Sequence, residues 1–127
     1  NCARLRSLWT QWSPGWPFTD NDFSHVQHAF AQPGVAWAAT RYYRSLFTVW
    51  QPDTRAMYAL SRKPILLPTL ALAGERDGCM QAGLLKAMVD PSKFPLGVQS
   101  RILSECGHFL HAEKPAEVAS LLLNFLK

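Results

Sequence analysis

The sequence lacks the features that mark membrane and secreted proteins. The uncharged stretch 7–19 is broken by polar residues and proline, and the apolar run 65–74 is far shorter than the roughly 18 residues that a membrane-spanning helix requires. The chain opens on Asn1, with no basic start followed by an apolar segment, so no signal peptide is visible. We expect no membrane partner, and we expect processing or truncation to have removed the natural start.

Clustered positive charge and paired cysteines are also missing. The chain has 13 basic and 9 acidic residues, a net charge of +4, yet only Arg62 and Lys63 are adjacent among the basic ones. Nucleic-acid-binding proteins usually concentrate positive charge on one face, so no nucleic-acid partner is expected. The three cysteines show no disulfide pattern, which favours reduced thiols and a cytoplasmic location.

The two halves of the chain differ in hydrophobic period. Residues 1–60 have apolar side chains at helical spacings, interrupted by proline and glycine, and contain all five tryptophans. Residues 61–127 instead begin with a short continuous apolar run, 65–73, that ends in the charged turn GERDG. Such a run is typical of a buried strand, and a helical pattern over 80–89 follows it.

The second half repeats this order. Residues 98–103 form a second candidate strand, and Pro115 suits the first turn of a last helix. A strand, helix, strand connection predicts a parallel pair, which places the chain in the α/β class. Parallel sheets usually have helices on both faces and more than two strands, so we expect the sheet to be completed by strands from elsewhere.

Each candidate strand is followed by a titratable residue, Asp77 after the first and His108 after the second. Functional residues of open parallel sheets gather at the carboxyl ends of the strands. A carboxylate that accepts a bond from one imidazole nitrogen leaves the other nitrogen free to act as a base. We therefore expect Asp77 and His108 to form a catalytic acid and base pair.

A metal site is the alternative for this region, because Cys106, His108 and His111 form a C-x-H-x-x-H spacing. Zinc sites usually recruit their ligands in recognisable pairs, and the sequence offers no second pair. We therefore expect no metal and no cofactor. His111 and Glu113 are expected to bond backbone or each other near the mouth of the site, while Cys106 and Cys79 are expected to be small buried residues.

The string PTLALAGERDGCM and, about thirty residues later, GHFLHAEKPAEVASLLLNFL resemble the last two strands and tail helix of the α/β-hydrolase fold. The helical first half, with LWTQWSPGW and PGVAWAATRYYRSLF, resembles the lid of capped members such as epoxide hydrolases, haloalkane dehalogenases and related esterases. The resemblance implies a lid at 1–60 and an α/β segment at 61–127. It also implies that His108 is the general base and Asp77 its acidic partner.

One part of the hydrolase pattern is missing, the nucleophile elbow with small residues two positions on either side. The nearest spacing, Gly74 to Gly78, would put Arg76 in the nucleophile position, and arginine cannot serve. Ser13 and Ser104 lack flanking glycines. The nucleophile is therefore expected on the N-terminal part of the same hydrolase or on a swapped copy, and the chain alone is expected to be inactive. The alternative is a non-catalytic binding or interaction module.

The resemblance implies a small apolar ester, epoxide or related electrophile as substrate, and the lid aromatics could line an apolar pocket for it. We expect Trp37, Tyr42, Tyr43 and Phe109 to contact it, although such aromatic stripes more often serve helix packing. Paired lid tyrosines donate bonds to the epoxide oxygen in epoxide hydrolases. Tyr42 and Tyr43 are adjacent and point about 100° apart on a helix, so they cannot both do so. Tyr58 is a possible second donor.

Overall fold

The computed structural model describes residues 2–127. Along these residues it contains α1 (Ala3–Trp12), α2 (Asp20–Ala31), α3 (Val35–Ser45), α4 (Pro52–Ser61), β1 (Thr69–Gly74), α5 (Ala82–Met88), a 3₁₀ turn (Pro91–Lys93), β2 (Val98–Leu103), α6 (Leu110–Glu113) and α7 (Pro115–Phe125). Within the described range, every helix is too short or too polar to cross a membrane.

The described residues form two compact units. One, here called the α/β unit, comprises Ala3–Pro17 and Pro64–Lys127, and the other, the helical unit, comprises Phe18–Lys63. Helix α1 thus lies with the strands and not with the remaining residues of the predicted 1–60 lid. Its last residue explains this placement, because the Trp12 carbonyl accepts hydrogen bonds from the amides of Gly78 and His108. A lid role for the helical unit stays a prediction.

In the helical unit, side chains form hydrogen bonds with backbone groups at the ends of helices. Thr19 and Asp22 form a capping box at the start of α2, and these bonds lower the pKa of Asp22. Helix α3 ends at Ser45. There the hydroxyl of Thr54, on α4, donates to the Ser45 carbonyl and so satisfies a group that the helix leaves unpaired.

Strands β1 and β2 pair in parallel, with the register running from Thr69 opposite Val98 to Gly74 opposite Leu103. This confirms the predicted strand, helix, strand unit within a mixed helical and α/β fold. Across the described residues the sheet has these two strands. Most of β2 is exposed, as are Leu66 and Leu67 before β1 and Leu122 and Leu123 on α7. Completion of the sheet by further strands stays a prediction.

The core of the α/β unit lies where β2 ends. Leu103, Cys106 and Val118 are buried there, with Leu72, Leu110 and Leu121 packed against them. Complete burial of a side chain such as Leu103 stabilises the fold by about 1.5–3 kcal/mol. Helix α7 begins at Pro115, as predicted, and contributes Val118 and Leu121 to this cluster. The core therefore supports the turn that carries His108.

The strand ends approach each other so closely that a side chain cannot fit between them. A Cβ atom on Gly74 would lie 2.0 Å from the carbonyl oxygen of Gly107 and 2.4 Å from that of Cys106. Both neighbours are backbone atoms, so neither can move aside without distorting the turn. Position 74 therefore requires glycine, because the neighbouring backbone leaves no room for a Cβ atom.

We expect Gly74→Ala to lower the free energy of unfolding by about 1–3 kcal/mol, because it overpacks the junction of β1 with the Cys106–Gly107 turn. The matched control is Gly83→Ala on α5, where an added Cβ meets open space. That change should be neutral or stabilise by up to about 1 kcal/mol, because alanine has the higher helix propensity. Urea unfolding curves measure both, and equal stability of the two variants would contradict the close packing at Gly74.

Candidate active site

The turn after β1 fixes the carboxylate of Asp77. Its Oδ1 accepts hydrogen bonds from the amides of Cys79 and Met80, each at 2.8 Å. The side chain is 8% exposed, so the carboxylate depends on these protein donors more than on water. Asp in such a turn bonds the backbone two and three residues ahead of it, which orients the group without help from distant residues. The second oxygen, Oδ2, faces the other turn.

The turn after β2 brings His108 to that oxygen. Nδ1 of His108 lies 2.9 Å from Oδ2 of Asp77, a hydrogen-bond distance. The His108 side chain is 29% exposed, so it borders the solvent while its partner lies deeper. With the proton on Nδ1 donated to Asp77, Nε2 is left as the basic nitrogen. The structure thus brings the two predicted residues together, and their catalytic roles stay a prediction.

Backbone bonds between the two turns hold this pair in register. The Glu75 amide donates to the Leu103 carbonyl at 2.9 Å, and the Arg76 amide donates to the Cys106 carbonyl at 2.8 Å. The Trp12 carbonyl accepts from Gly78 at 3.0 Å and from His108 at 3.1 Å. Because the acid turn and the base turn share these contacts, neither can shift without straining the other.

Side chains add a second connection between the turns. Arg76 forms an ion pair with Glu105, and Oε2 of Glu75 accepts the Glu105 amide at 3.0 Å. Glu105 has a φ of 51°, an uncommon conformation for a residue other than glycine. The hydrogen bond that the Glu105 amide donates to Glu75 offsets part of the strain of that conformation. Arg76, which the sequence excludes as a nucleophile, therefore has a structural contact here.

Sequence reasoning missed the part played by Ser13 and Glu113. Ser13, just after α1, is 1% exposed, and its hydroxyl donates to Oε1 of Glu113 at 2.7 Å. Glu113 also accepts the amide of Gly107 at 2.8 Å, so it bonds backbone, one of the two outcomes predicted for it. No local pattern predicts these contacts, because Ser13 and Glu113 are 100 positions apart in the sequence.

An aromatic wall borders the histidine. The Trp12 ring meets the His108 ring edge-on with centroids 5.0 Å apart, and Phe109 lies 4.7 Å from Trp9. Trp16 stacks on Trp9 at 5.3 Å. Phe109, predicted to contact substrate, is thus engaged in a ring cluster beside His108. Such clusters contribute packing energy beyond the buried area, so this wall stabilises the base turn.

The other predicted substrate-binding residues belong to the helical unit. Trp37, Tyr42 and Tyr43 are each more than half exposed there, with the two tyrosine rings edge to face at 4.9 Å. Arg41 lies 4.9 Å above the Trp37 ring. The hydroxyl of Tyr58 donates to the Leu46 carbonyl at 2.9 Å, so its proton is already engaged. Substrate contact by these residues stays a prediction.

An apolar cavity of about 210 Å³ opens beside the acid and base pair. Asp77, Gln81 and His108 supply its polar groups, and Met80, Leu84 and Met88 are among the apolar side chains around them. A cavity with a few converging polar groups in an apolar wall is the usual form of a small-molecule site. Leu72 and Leu110 complete the side that faces the core.

The two cysteines beside the site differ in exposure. Cys106 is fully buried, as predicted, and its pKa is raised by burial and then by the charge of Glu113. The prediction that Cys79 is buried is wrong, because it lies on the outer side of the Asp77 turn and is exposed. Partial desolvation, followed by the charge of Asp77, raises its pKa. Neither thiol has the lowered pKa of a reactive nucleophile.

The zinc spacing does not assemble a ligand set. His111 is exposed, whereas Cys106 is buried in the core beneath the turn. Across residues 2–127, His, Cys, Asp and Glu side chains form no group of three or more that could hold a metal ion.

Comparison with known proteins adds a relationship to this geometry. No protein-family model matches the chain. Mouse epoxide hydrolase 3 is 29% identical over 124 residues, which is 97% of this chain and 31% of that protein. The chain resembles part of an epoxide hydrolase. This confirms the resemblance predicted from the sequence.

Two further epoxide hydrolases support the relationship. Epoxide hydrolase 3 of Xenopus tropicalis is 28% identical over 97 residues, covering 76% of this chain and 24% of that protein. Bifunctional epoxide hydrolase 2 of Rattus norvegicus is 28% identical over 109 residues, covering 86% of this chain and 18% of that protein. The chain spans about a third or less of the length of these epoxide hydrolases.

Proposed function

We propose that the chain supplies the lid and the C-terminal part of an α/β-fold hydrolase, with Asp77 and His108 as two members of a catalytic triad. The observation that carries this proposal is the 2.9 Å contact between His108 Nδ1 and Asp77 Oδ2, placed just beyond the carboxyl ends of two parallel strands. Active sites of parallel sheets lie at that edge. The similarity to epoxide hydrolases supports the hydrolase class.

The proposed substrate is a small, largely apolar electrophile, with an epoxide favoured over an ester. The names of the relatives support the epoxide, and the apolar cavity beside Asp77 and His108 supports the small size. Trp37, Tyr42, Tyr43 and Phe109 are proposed to contact the substrate. A tyrosine hydroxyl can donate a proton to the oxygen of an opening epoxide, and Tyr42 or Tyr43 is proposed for this step because Tyr58 already donates to a backbone carbonyl.

The proposed reaction has two steps that share His108. A carboxylate nucleophile from outside this chain attacks an epoxide carbon, the carbon–oxygen bond breaks, and the alkoxide takes a proton from the tyrosine. Nε2 of His108 then takes a proton from water, and the resulting hydroxide attacks the ester carbonyl, breaks the bond to the alkoxide oxygen and gives up its proton to that oxygen, which releases the diol and regenerates the carboxylate. The imidazolium finally loses its proton through water to the tyrosinate, so both side chains return to their starting states. Asp77 stabilises the imidazolium that forms and holds the ring through Nδ1. No metal or organic cofactor enters these steps.

The contacts of the side chains around His108 support the proposal that the nucleophile lies outside this chain. Ser13 is buried, and its hydroxyl donates to Glu113, so it is not available to attack a substrate. We propose that the partner is the N-terminal part of the same hydrolase or a swapped copy, which adds strands to the sheet and covers its exposed apolar surface. The reduced cysteines support a cytoplasmic location for the assembled protein.

An activity assay on two lengths of protein tests the proposal. We expect residues 1–127 alone to show no turnover of a small aryl epoxide, and the protein that also carries the segment encoded upstream to hydrolyse it. Equal amounts of both are assayed for diol formation, with circular dichroism to show that each is folded. Turnover by the 127-residue chain alone would contradict the external nucleophile. Absence of turnover in both, with tight binding of an apolar ligand, would favour the non-catalytic binding module.

A further inference from the structure

We infer that Ser13 and Glu113 are positioning residues for His108, an inference that rests on the proposed function. Together with the Gly107–Phe109 backbone they form a closed set of hydrogen bonds, here called the Ser–Glu clamp. Its two side chains come from opposite ends of the chain and meet beneath the turn that carries the base. Neither is assigned a role by the triad, so the clamp adds to the chemistry already proposed.

Glu113 holds the turn from one side. Its Oε2 accepts the Gly107 amide at 2.8 Å, and its Oε1 accepts the Phe109 amide at 3.1 Å. The two amides on either side of His108 are therefore bonded to one carboxylate. Bonds from a neutral amide to an ionised oxygen are shorter and stronger than those between neutral groups. The carboxylate thus limits rotation of the backbone on both sides of the base.

Ser13 holds the turn from the other side. Its oxygen accepts the His108 amide at 2.9 Å and the Phe109 amide at 3.3 Å, while its own proton goes to Glu113. A hydroxyl has one proton and two acceptor lone pairs, so these three bonds use its full capacity. The Trp12 carbonyl accepts the His108 amide as well, at 3.1 Å. The backbone of the base is therefore fixed by Trp12, the last residue of α1, and by Ser13, which follows it.

Close packing leaves the clamp little freedom to relax. A Cβ atom on Gly107 would lie 2.5 Å from Cα and 2.6 Å from Oγ of Ser13, so the two backbones are in direct contact. Gly107 and Cys106 are buried on the inner side, whereas the His108 ring remains partly exposed. The backbone is held while the side chain stays accessible. This arrangement suits a residue that must present one nitrogen at a fixed point.

Each substitution removes identifiable hydrogen bonds of the clamp. Ser13→Ala removes the acceptor shared by His108 and Phe109 and the donor to Glu113. Glu113→Gln keeps the shape of the side chain but replaces one of the two carboxylate oxygens by an NH₂ group. At that position the NH₂ group faces the backbone amide that the oxygen accepted, so two donors face each other. Both variants should let the turn shift, and misplacement of a catalytic group by about 1 Å costs roughly 100-fold in rate.

The test compares Ser13→Ala and Glu113→Gln with matched controls in the full-length protein. Ser7→Ala on α1 and Glu117→Gln on α7 change an exposed serine and an exposed glutamate on the neighbouring helices. We expect kcat to fall at least about 10-fold in each clamp variant, with KM changed less than about 2-fold, because geometry and not substrate binding is lost. The control variants should keep the wild-type kcat.

Hydrogen exchange provides a readout that does not depend on activity. Amides of Gly107, His108 and Phe109 should exchange faster in the clamp variants, while β1 amides keep their protection, which also shows that each variant is folded. Turnover is measured alongside in His108→Gln. If His108→Gln loses turnover while both clamp variants keep the wild-type kcat, the positioning role is overturned and the proposed function is not. Full turnover in His108→Gln would overturn the proposed function and the inference with it.

Discussion

Replacing His108 by glutamine should lower epoxide turnover of the full-length protein at least about a thousandfold. In the proposed reaction the imidazole takes a proton from water, and an amide side chain cannot act as a base at neutral pH. The Asp77 contact shows that His108 already has one nitrogen engaged with a carboxylate, as this role requires. Steady-state diol formation by wild type and variant measures the effect.

His111→Gln is the matched control for this change. It makes the same substitution three residues further along, at an exposed histidine, and should leave turnover within about twofold of wild type because exposed surface changes are usually small in effect. Unfolding temperatures of both variants show whether the fold is intact. A His108→Gln protein that keeps more than about a tenth of wild-type turnover would contradict the base assignment.

Asp77→Asn should lower kcat about 10⁴-fold, an effect of the size expected when a triad histidine is held in the wrong tautomer. The Cys79 and Met80 amides require an acceptor, so they retain the oxygen of the new amide at the Oδ1 position. The NH₂ group then faces Nδ1 of His108, which must act as acceptor. The ring proton moves to Nε2, and that nitrogen can no longer take a proton from water.

Asp90→Asn is the control for this substitution. Asp90 accepts the Ser92 amide at 3.0 Å at the start of the 3₁₀ turn, and hydrogen bonds from the Ser92 side chain and then from its amide lower the pKa of Asp90. Its oxygen can remain on the Ser92 amide after the change, so kcat should stay at the wild-type value. Comparable losses in the Asp77 and Asp90 variants would show a general effect on folding and would remove the support for a specific Asp77–His108 pair.

The sequence predicts most elements whose signal is local. Strand β2 has the predicted bounds, residues 98–103, and α7 begins at Pro115 as predicted. Strand β1 begins at Thr69 and not at Ile65, because Pro68 has no amide to donate and the ladder starts with the Thr69 amide bonded to the Gly97 carbonyl. A continuous apolar run does not indicate at which of its residues the strand begins.

The Asp77–His108 contact was also predictable, because parallel strands deliver their following turns to the same edge of a sheet. The Ser–Glu clamp was not. Its members are separated by up to 100 residues, and a buried serine has no local pattern that distinguishes it from a helix-ending one. The exposure of Cys79 was missed for a similar reason, since burial in a turn depends on which face meets the core.

The most direct test of the central claim is to locate the covalent bond between substrate and protein in the His108→Gln variant. In the proposed reaction, attack by a carboxylate on an epoxide needs no base, whereas release of the ester needs His108, so the first product should accumulate as an adduct. Digestion and peptide mass mapping of the epoxide-treated full-length variant should find one substrate mass on a peptide outside residues 1–127. An adduct on a residue of this chain, or continued diol formation without any adduct, would contradict the account.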